Sequence, residues 1–179
     1  MIRLFVAIPL PADIRECLKS LCCGLKGAKW IQPGNMHLTL RFIGEVRNDV
    51  ASELDFALSE IRAPGFELAL DGVGTFGRGK RPHALWTGVK KSEPLAALQT
   101  KVESTLVRAG LEVEERKFSP HITLARLKDI KRNQADEFVA SHAAFRAAPF
   151  AVNRFALYSS FLASAGAIHI EEASYPLAG

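Results

Sequence analysis

The sequence predicts an α+β fold of two pseudo-twofold lobes: a bilobal repeat in which two antiparallel sheets face a central cleft with helices on the outside. Two observations lead to it. The segment His37-Leu38-Thr39-Leu40 returns as His121-Ile122-Thr123-Leu124. The pattern around the two copies also returns in register. His37 and His121 are 84 residues apart, as are the strand starts Phe66 and Phe150, and residues 83–89 shifted by 84 fall on residues 167–173. Upstream the offset drifts, from 32 residues between Phe5 and His37 to 35 between Trp86 and His121, so about three residues entered a loop. Each copy reads strand–helix–strand–helix–strand. A twofold axis between them would bring both His-x-Thr strands to one crevice. The chain is then a single bilobal domain, residues 1–179, with the second copy starting near residue 81.

Taken in order, the apolar run from Leu4 to Ile8 predicts a buried strand. Ile14, Leu18, Leu21 and Leu25 follow at helical spacing, with Gly27 as the stop. Residues 30–35 carry turn chemistry and lead into the first His-x-Thr strand, which ends at Gly44. Asn48 or Asp49 caps a helix whose apolar face is Val50, Leu54, Leu58 and Ile61. A strand over residues 66–70, a basic glycine-rich loop over 74–82 and a strand over 83–89 come next. Ser92 caps the third helix, with Leu95, Leu98, Val102 and Leu106 inward and Gly110 closing it. After the second His-x-Thr strand come a weaker helix near 131–141 and strands near 150–160 and 167–173.

At 179 residues, 48% hydrophobic and 23% charged, the composition is that of a soluble globular protein with a real core. No apolar run reaches the roughly 20 residues that span a bilayer. The N-terminus reads as a strand and not as a signal peptide, so a cytoplasmic location is expected. The adjacent pair Cys22 and Cys23, with Cys17, fits neither a disulfide nor a zinc pattern. A net charge of +4 favours an anionic partner without the dense basic stripe of a duplex-binding protein.

A strand's period of two puts His and Thr of each motif on one face and the intervening Leu or Ile on the other. Two imidazoles flanking a substrate suit acid–base catalysis near neutrality: one takes a proton while the other gives one. Thr39 and Thr123 offer hydroxyls to anionic oxygens. Arg41 and Arg126 are the cations nearest in sequence for charge developing on a phosphate. Arg41 is in phase with His37, whereas Arg126 is out of phase with His121 and needs a bulge, a twist or a long reach. No acidic residue accompanies the pair at ligand spacing, so neither a metal nor any cofactor is required.

At these residues the sequence resembles the two-histidine (2H) phosphoesterase superfamily. The likeness is greatest to the RNA 2′,3′-cyclic phosphodiesterases of the LigT/ThpR type. The shared stretches are residues 3–7, the segment Asn35 to Gly44 with its Arg-Phe-Ile-Gly, and Pro120 to Arg126. The resemblance implies hydrolysis of a ribose 2′,3′-cyclic phosphate to a 2′-phosphate. It implies His121 as the proton acceptor and His37 as the proton donor, with Thr39, Thr123 and Arg126, or its rival Arg41, on the phosphate. The implied partner is RNA ending in a cyclic phosphate, tRNA-like or an oligonucleotide, met by a monomer.

Other readings stay open: the same chemistry on a small nucleotide such as an ADP-ribose cyclic phosphate or a 2′–5′ oligonucleotide, 2′–5′ RNA ligation, or a non-catalytic nucleotide-binding module. Phe76, with Arg78, Lys80 and Arg81 in its loop, and Trp30 are candidate base or RNA contacts. Core packing competes for Trp30 and is expected of Trp86. His169 falls at the repeat position of Leu85 and receives no role.

Overall fold

Residues Leu4 to Ile8 are buried on both sides because the strand they form, β1 (Ile2–Pro9), lies inside a large antiparallel sheet. The computed structural model describes residues 1–79 and 81–178; Lys80, named above as a loop cation, lies outside the described residues. The remaining elements are α1 (Ala12–Leu21), β2 (Ala28–Trp30), a 3₁₀ turn (Pro33–Asn35), β3 (His37–Val46), α2 (Asn48–Ser59), β4 (Phe66–Leu68), β5 (Leu70–Phe76), β6 (Ala84–Val89), α3 (Glu93–Arg108), β7 (His121–Leu127), α4 (Arg132–Ser141), β8 (Phe150–Val152), β9 (Arg154–Ala163) and β10 (Gly166–Pro176). The sheet runs β10-β9-β1-β3-β7-β6-β5, with β2 also on β7, and β4 and β8 form a separate two-stranded ribbon.

Capping and periodicity account for the helices. Ser92 accepts the amide of Leu95 at the start of α3, and the four apolar residues named for that helix are buried. α2 begins one residue earlier than its expected cap, with Arg47 as N-cap and Asp49 in the first turn, where a carboxylate meets the helix dipole favourably. α1 stops at Leu21, short of Leu25, because the chain turns through Gly24 at φ +83°. Leu25 still reaches the core. Full burial of each such leucine contributes roughly 1.5–3 kcal/mol.

The predicted glycine loop begins later than expected. Residues 74–76 belong to β5, paired with β6. Gly74 sits under the indole of its cross-strand neighbour Trp86, and a Cβ there would meet the ring at 2.4 Å. Glycine in this strand thus marks a close approach, not a turn.

The two halves of the sheet meet at one register pair, Leu38 opposite Ile122. These residues hold the same place in the two His-x-Thr motifs, as an antiparallel pair on a pseudo-twofold axis must. Each copy also sends a strand across: β5 pairs with β6 of the second copy, and β9 pairs with β1 of the first. Register corrects the upstream alignment. Phe5 faces Phe42 and Ala84 faces Arg126, so Phe5 corresponds to Ala84 and the second copy gained five residues before its motif, not three.

Candidate active site

Each motif strand carries the same irregularity. Between Val6 and Ala7 the partner on β3 jumps from Arg41 to Thr39, and between Leu85 and Trp86 the partner on β7 jumps from Ala125 to Thr123. Leu40 and Leu124 are the extra residues, both buried. A one-residue bulge reverses the facing of everything beyond it. His121 and Thr123 are part-exposed, Leu124 and Ala125 are both buried, and Arg126 is exposed. Arg126 is therefore returned to the face of His121 and Thr123, meeting the condition that strand parity set.

The same bulge removes Arg41. Its guanidinium pairs with Glu103 of α3 and donates to the carbonyls of Phe42 and Glu112, and its side chain is 9% exposed. Its donors are spent on the helix side of the sheet. Phe42, the repeat equivalent of Arg126, takes the outward position instead, 58% exposed, with its ring 6.2 Å from Phe5. One lobe thus presents a cation where the other presents an aromatic ring.

The imidazoles are held alike. His37 Nδ1 lies 2.7 Å from the Asn35 carbonyl oxygen, and His121 Nδ1 lies 2.7 Å from that of Ser119. A carbonyl only accepts, so Nδ1 carries the proton in each ring and Nε2 remains the exchanging atom. The turn Pro33–Asn35 and the Ser119-Pro120 approach are local structures that place these carbonyls. The hydroxyls of Thr39 and Thr123 meet no partner among the described residues and stay available.

Their surroundings differ. His37 packs against Phe5 at 4.8 Å and Tyr158 at 6.3 Å, with His169 edge-on at 5.3 Å. His121 meets Phe76 edge-on at 4.7 Å and Trp86 at 6.3 Å. Burial pushes the His37 imidazole down to about 4, with smaller contributions from His169 and His121, whose positive forms would repel its own. His169 is lowered too, by burial and by the Arg126 charge. The Leu38–Ile122 pair sets His37 and His121 on neighbouring strands, with His169 against His37.

The lowered His37 value has a consequence for stability. The unfolded chain takes up a proton near pH 6.5 that the folded chain refuses until about 4. Stability present above pH 6.5 is therefore lost as pH falls towards 4, by up to roughly 3 kcal/mol. Denaturant titrations at pH 7 and pH 4.5 are expected to show this loss, and His37→Gln should reduce it; an unchanged slope would count against the burial.

Phe76 lies edge-on to His121, and Arg132 at the start of α4 supports its loop through the Gly77 and Gly79 carbonyls and the Thr75 hydroxyl. Trp30 is turned the other way, against Phe138 of α4 at 6.0 Å, and serves packing. Arg81 lies on the surface, paired with Asp129 at 3.4 Å. The structure brings in residues that the sequence reading left out: Phe5, Tyr158 and His169 beside His37, Phe42 beside Phe5, and Trp86, taken for core, beside His121. The five-residue difference upstream of the motifs hid Trp86, and no sequence signal ties β10 to β3. Among the described residues, no group of three or more His, Cys, Asp or Glu is placed to hold a metal ion.

Residues 5–160 match the model of the 2′-5′ RNA ligase superfamily. The chain belongs to that superfamily. An RNA 2′,3′-cyclic phosphodiesterase of Archaeoglobus fulgidus is 31% identical over 170 residues, covering 93% of this chain and 96% of that protein. One from Thermotoga maritima is 34% identical over 173 residues, covering 93% and 91%. Among solved structures of this superfamily's fold, Escherichia coli LigT complexed with 3′-AMP superposes with a TM-score of 0.80 at 30% identity, covering 99% of both chains.

Proposed function

We propose that this chain hydrolyses RNA 2′,3′-cyclic phosphate ends to 2′-phosphomonoesters by two-histidine acid–base catalysis. The observation that carries the reading is the symmetric pair. Two histidines at equivalent positions flank the Leu38–Ile122 junction, each fixed through Nδ1 and each free at Nε2. The names of the relatives agree with this chemistry.

In the proposed reaction, His121 Nε2 takes a proton from water as the water oxygen bonds to phosphorus. The bond from phosphorus to the 3′ oxygen breaks, and His37 Nε2 gives that oxygen its proton. The 2′ ester remains. Thr39 and Thr123 donate to the phosphate oxygens, and Arg126 balances their charge. The half-buried position of His37 bears on its role as donor: a proton drawn onto His37 by an arriving phosphate anion is held weakly and released readily. Arg41 is left out because Glu103 already occupies it. Phe76 and Phe42 are aromatic surfaces within reach of a base.

The exchange of β5 and β9 between copies supports a single bilobal unit over the whole chain. No helix among the described residues is long and apolar enough to cross a membrane. The reading includes a cytoplasmic monomer acting on RNA.

Incubation of a short RNA ending in 2′,3′-cyclic phosphate, with EDTA present, tests this directly. A 2′-phosphate product at undiminished rate is expected, read by mass and by phosphatase sensitivity. A 3′-phosphate product, or loss of activity in chelator, would refute the mechanism.

A further inference from the structure

β2 is only three residues long, yet its register puts a lysine where its neighbour is already cationic. Lys29 lies directly opposite Arg126, between the pairs Trp30–Ala125 and Ala28–Leu127. Opposed residues of an antiparallel pair share a face. Trp30 and Ala125 face the helices, where Trp30 meets Phe138. Lys29 and Arg126 therefore share the other face, the one that holds His121 and Thr123. Lys29 is exposed.

Like charges directly across a strand pair destabilise it. Neither residue has an acidic partner within ion-pair distance among the described residues, whereas Arg41 and Arg81 each meet a carboxylate. An unneutralised cation pair held on an edge strand calls for an anion from outside the chain. A phosphate held by Thr39 and Thr123 lies beside the motif residues, and Arg126 is three positions further along β7. β6 fills the other edge of β7 at Arg126, so Lys29 stands across a strand gap of about 5 Å from Arg126 on the edge that β3 also uses. With Arg126 serving the reacting phosphate, Lys29 at its side is left free for a second one.

We propose that Lys29, beside Arg126, binds the phosphodiester that joins the terminal nucleotide to the rest of an RNA strand. This rests on the cyclic-phosphate reading of the cleft. It makes the substrate a strand and not a lone nucleotide.

The test compares Lys29→Gln with the unaltered protein on two substrates: a mononucleotide 2′,3′-cyclic phosphate, which has one phosphate, and a trinucleotide with the same end. Loss of one charge-assisted contact is expected to raise KM about tenfold on the trinucleotide. The mononucleotide KM should change less than about twofold, and kcat should hold on both. The salt dependence of kcat/KM on the trinucleotide should weaken by about 0.7 of a log unit per decade, the contribution of one single-strand phosphate contact. Lys29→Arg should restore affinity. Equal KM increases on both substrates, or none on the trinucleotide, would overturn the proposal. Binding of a fluorescent trinucleotide ending in a 2′-phosphate is measured alongside. If the unaltered protein turns over neither substrate, the cleft reading fails, and weaker binding by Lys29→Gln, or its absence, still decides the role of Lys29.

Discussion

Replacing His37 or His121 by alanine is expected to lower turnover of a cyclic-phosphate RNA by at least ~10²-fold each, the scale of a lost general acid or base. The two losses should not multiply in the double variant, because proton uptake and delivery serve one displacement. The pH dependence separates the rings. With chemistry rate-limiting, kcat/KM in the unaltered protein should carry an ionisation near pH 4, where His37 gains its proton in the free protein. In His37→Ala that ionisation near pH 4 should be missing from the residual activity. Near-normal turnover by either alanine variant would remove that residue from the mechanism.

Arg126→Ala is expected to lower kcat/KM by about 10²-fold, as the loss of a group stabilising charge on the reacting phosphate does. Arg41→Ala provides the contrast. Its guanidinium is tied to Glu103 and to two carbonyls, so the variant should keep kcat/KM within about threefold while losing roughly 2–3 kcal/mol of stability from the broken buried network. Kinetics and denaturant melts on the two variants decide between them. If Arg41→Ala loses activity at full stability while Arg126→Ala does not, the bulge-based assignment is wrong.

The contrast between these arginines shows how far the sequence could be read. Parity along β7 points Arg126 away from His121, and parity along β3 points Arg41 towards His37. Both inferences hold only for an uninterrupted strand. The bulges at Leu40 and Leu124 reverse them, and a buried leucine in a bulge looks like any buried leucine in a strand. Trp86 was hidden in a similar way. The repeat alignment matched it to Phe5, but the strand register matches Phe5 to Ala84, and Trp86 lies beside His121. Gly74 looked like the start of a loop because a lone glycine reports only the absence of a side chain. That the absence makes room for an indole is a fact about β6.

By itself the sequence determined the two His-x-Thr strands, their 84-residue spacing, the helices that follow each strand and the family resemblance. These depend on local periodicity, caps and repetition, which act over a few residues and survive without knowledge of contacts. Tertiary structure alone decided which cation reaches the cleft, which rings wall each imidazole, and that His169 of the last strand stands against His37. Those outcomes depend on strand register and on pairing across more than a hundred residues, and one inserted residue reverses a face without leaving a mark in the composition. The twofold meeting of Leu38 with Ile122 joins the two levels: sequence placed both residues at equal points of a repeat, and pairing made them neighbours.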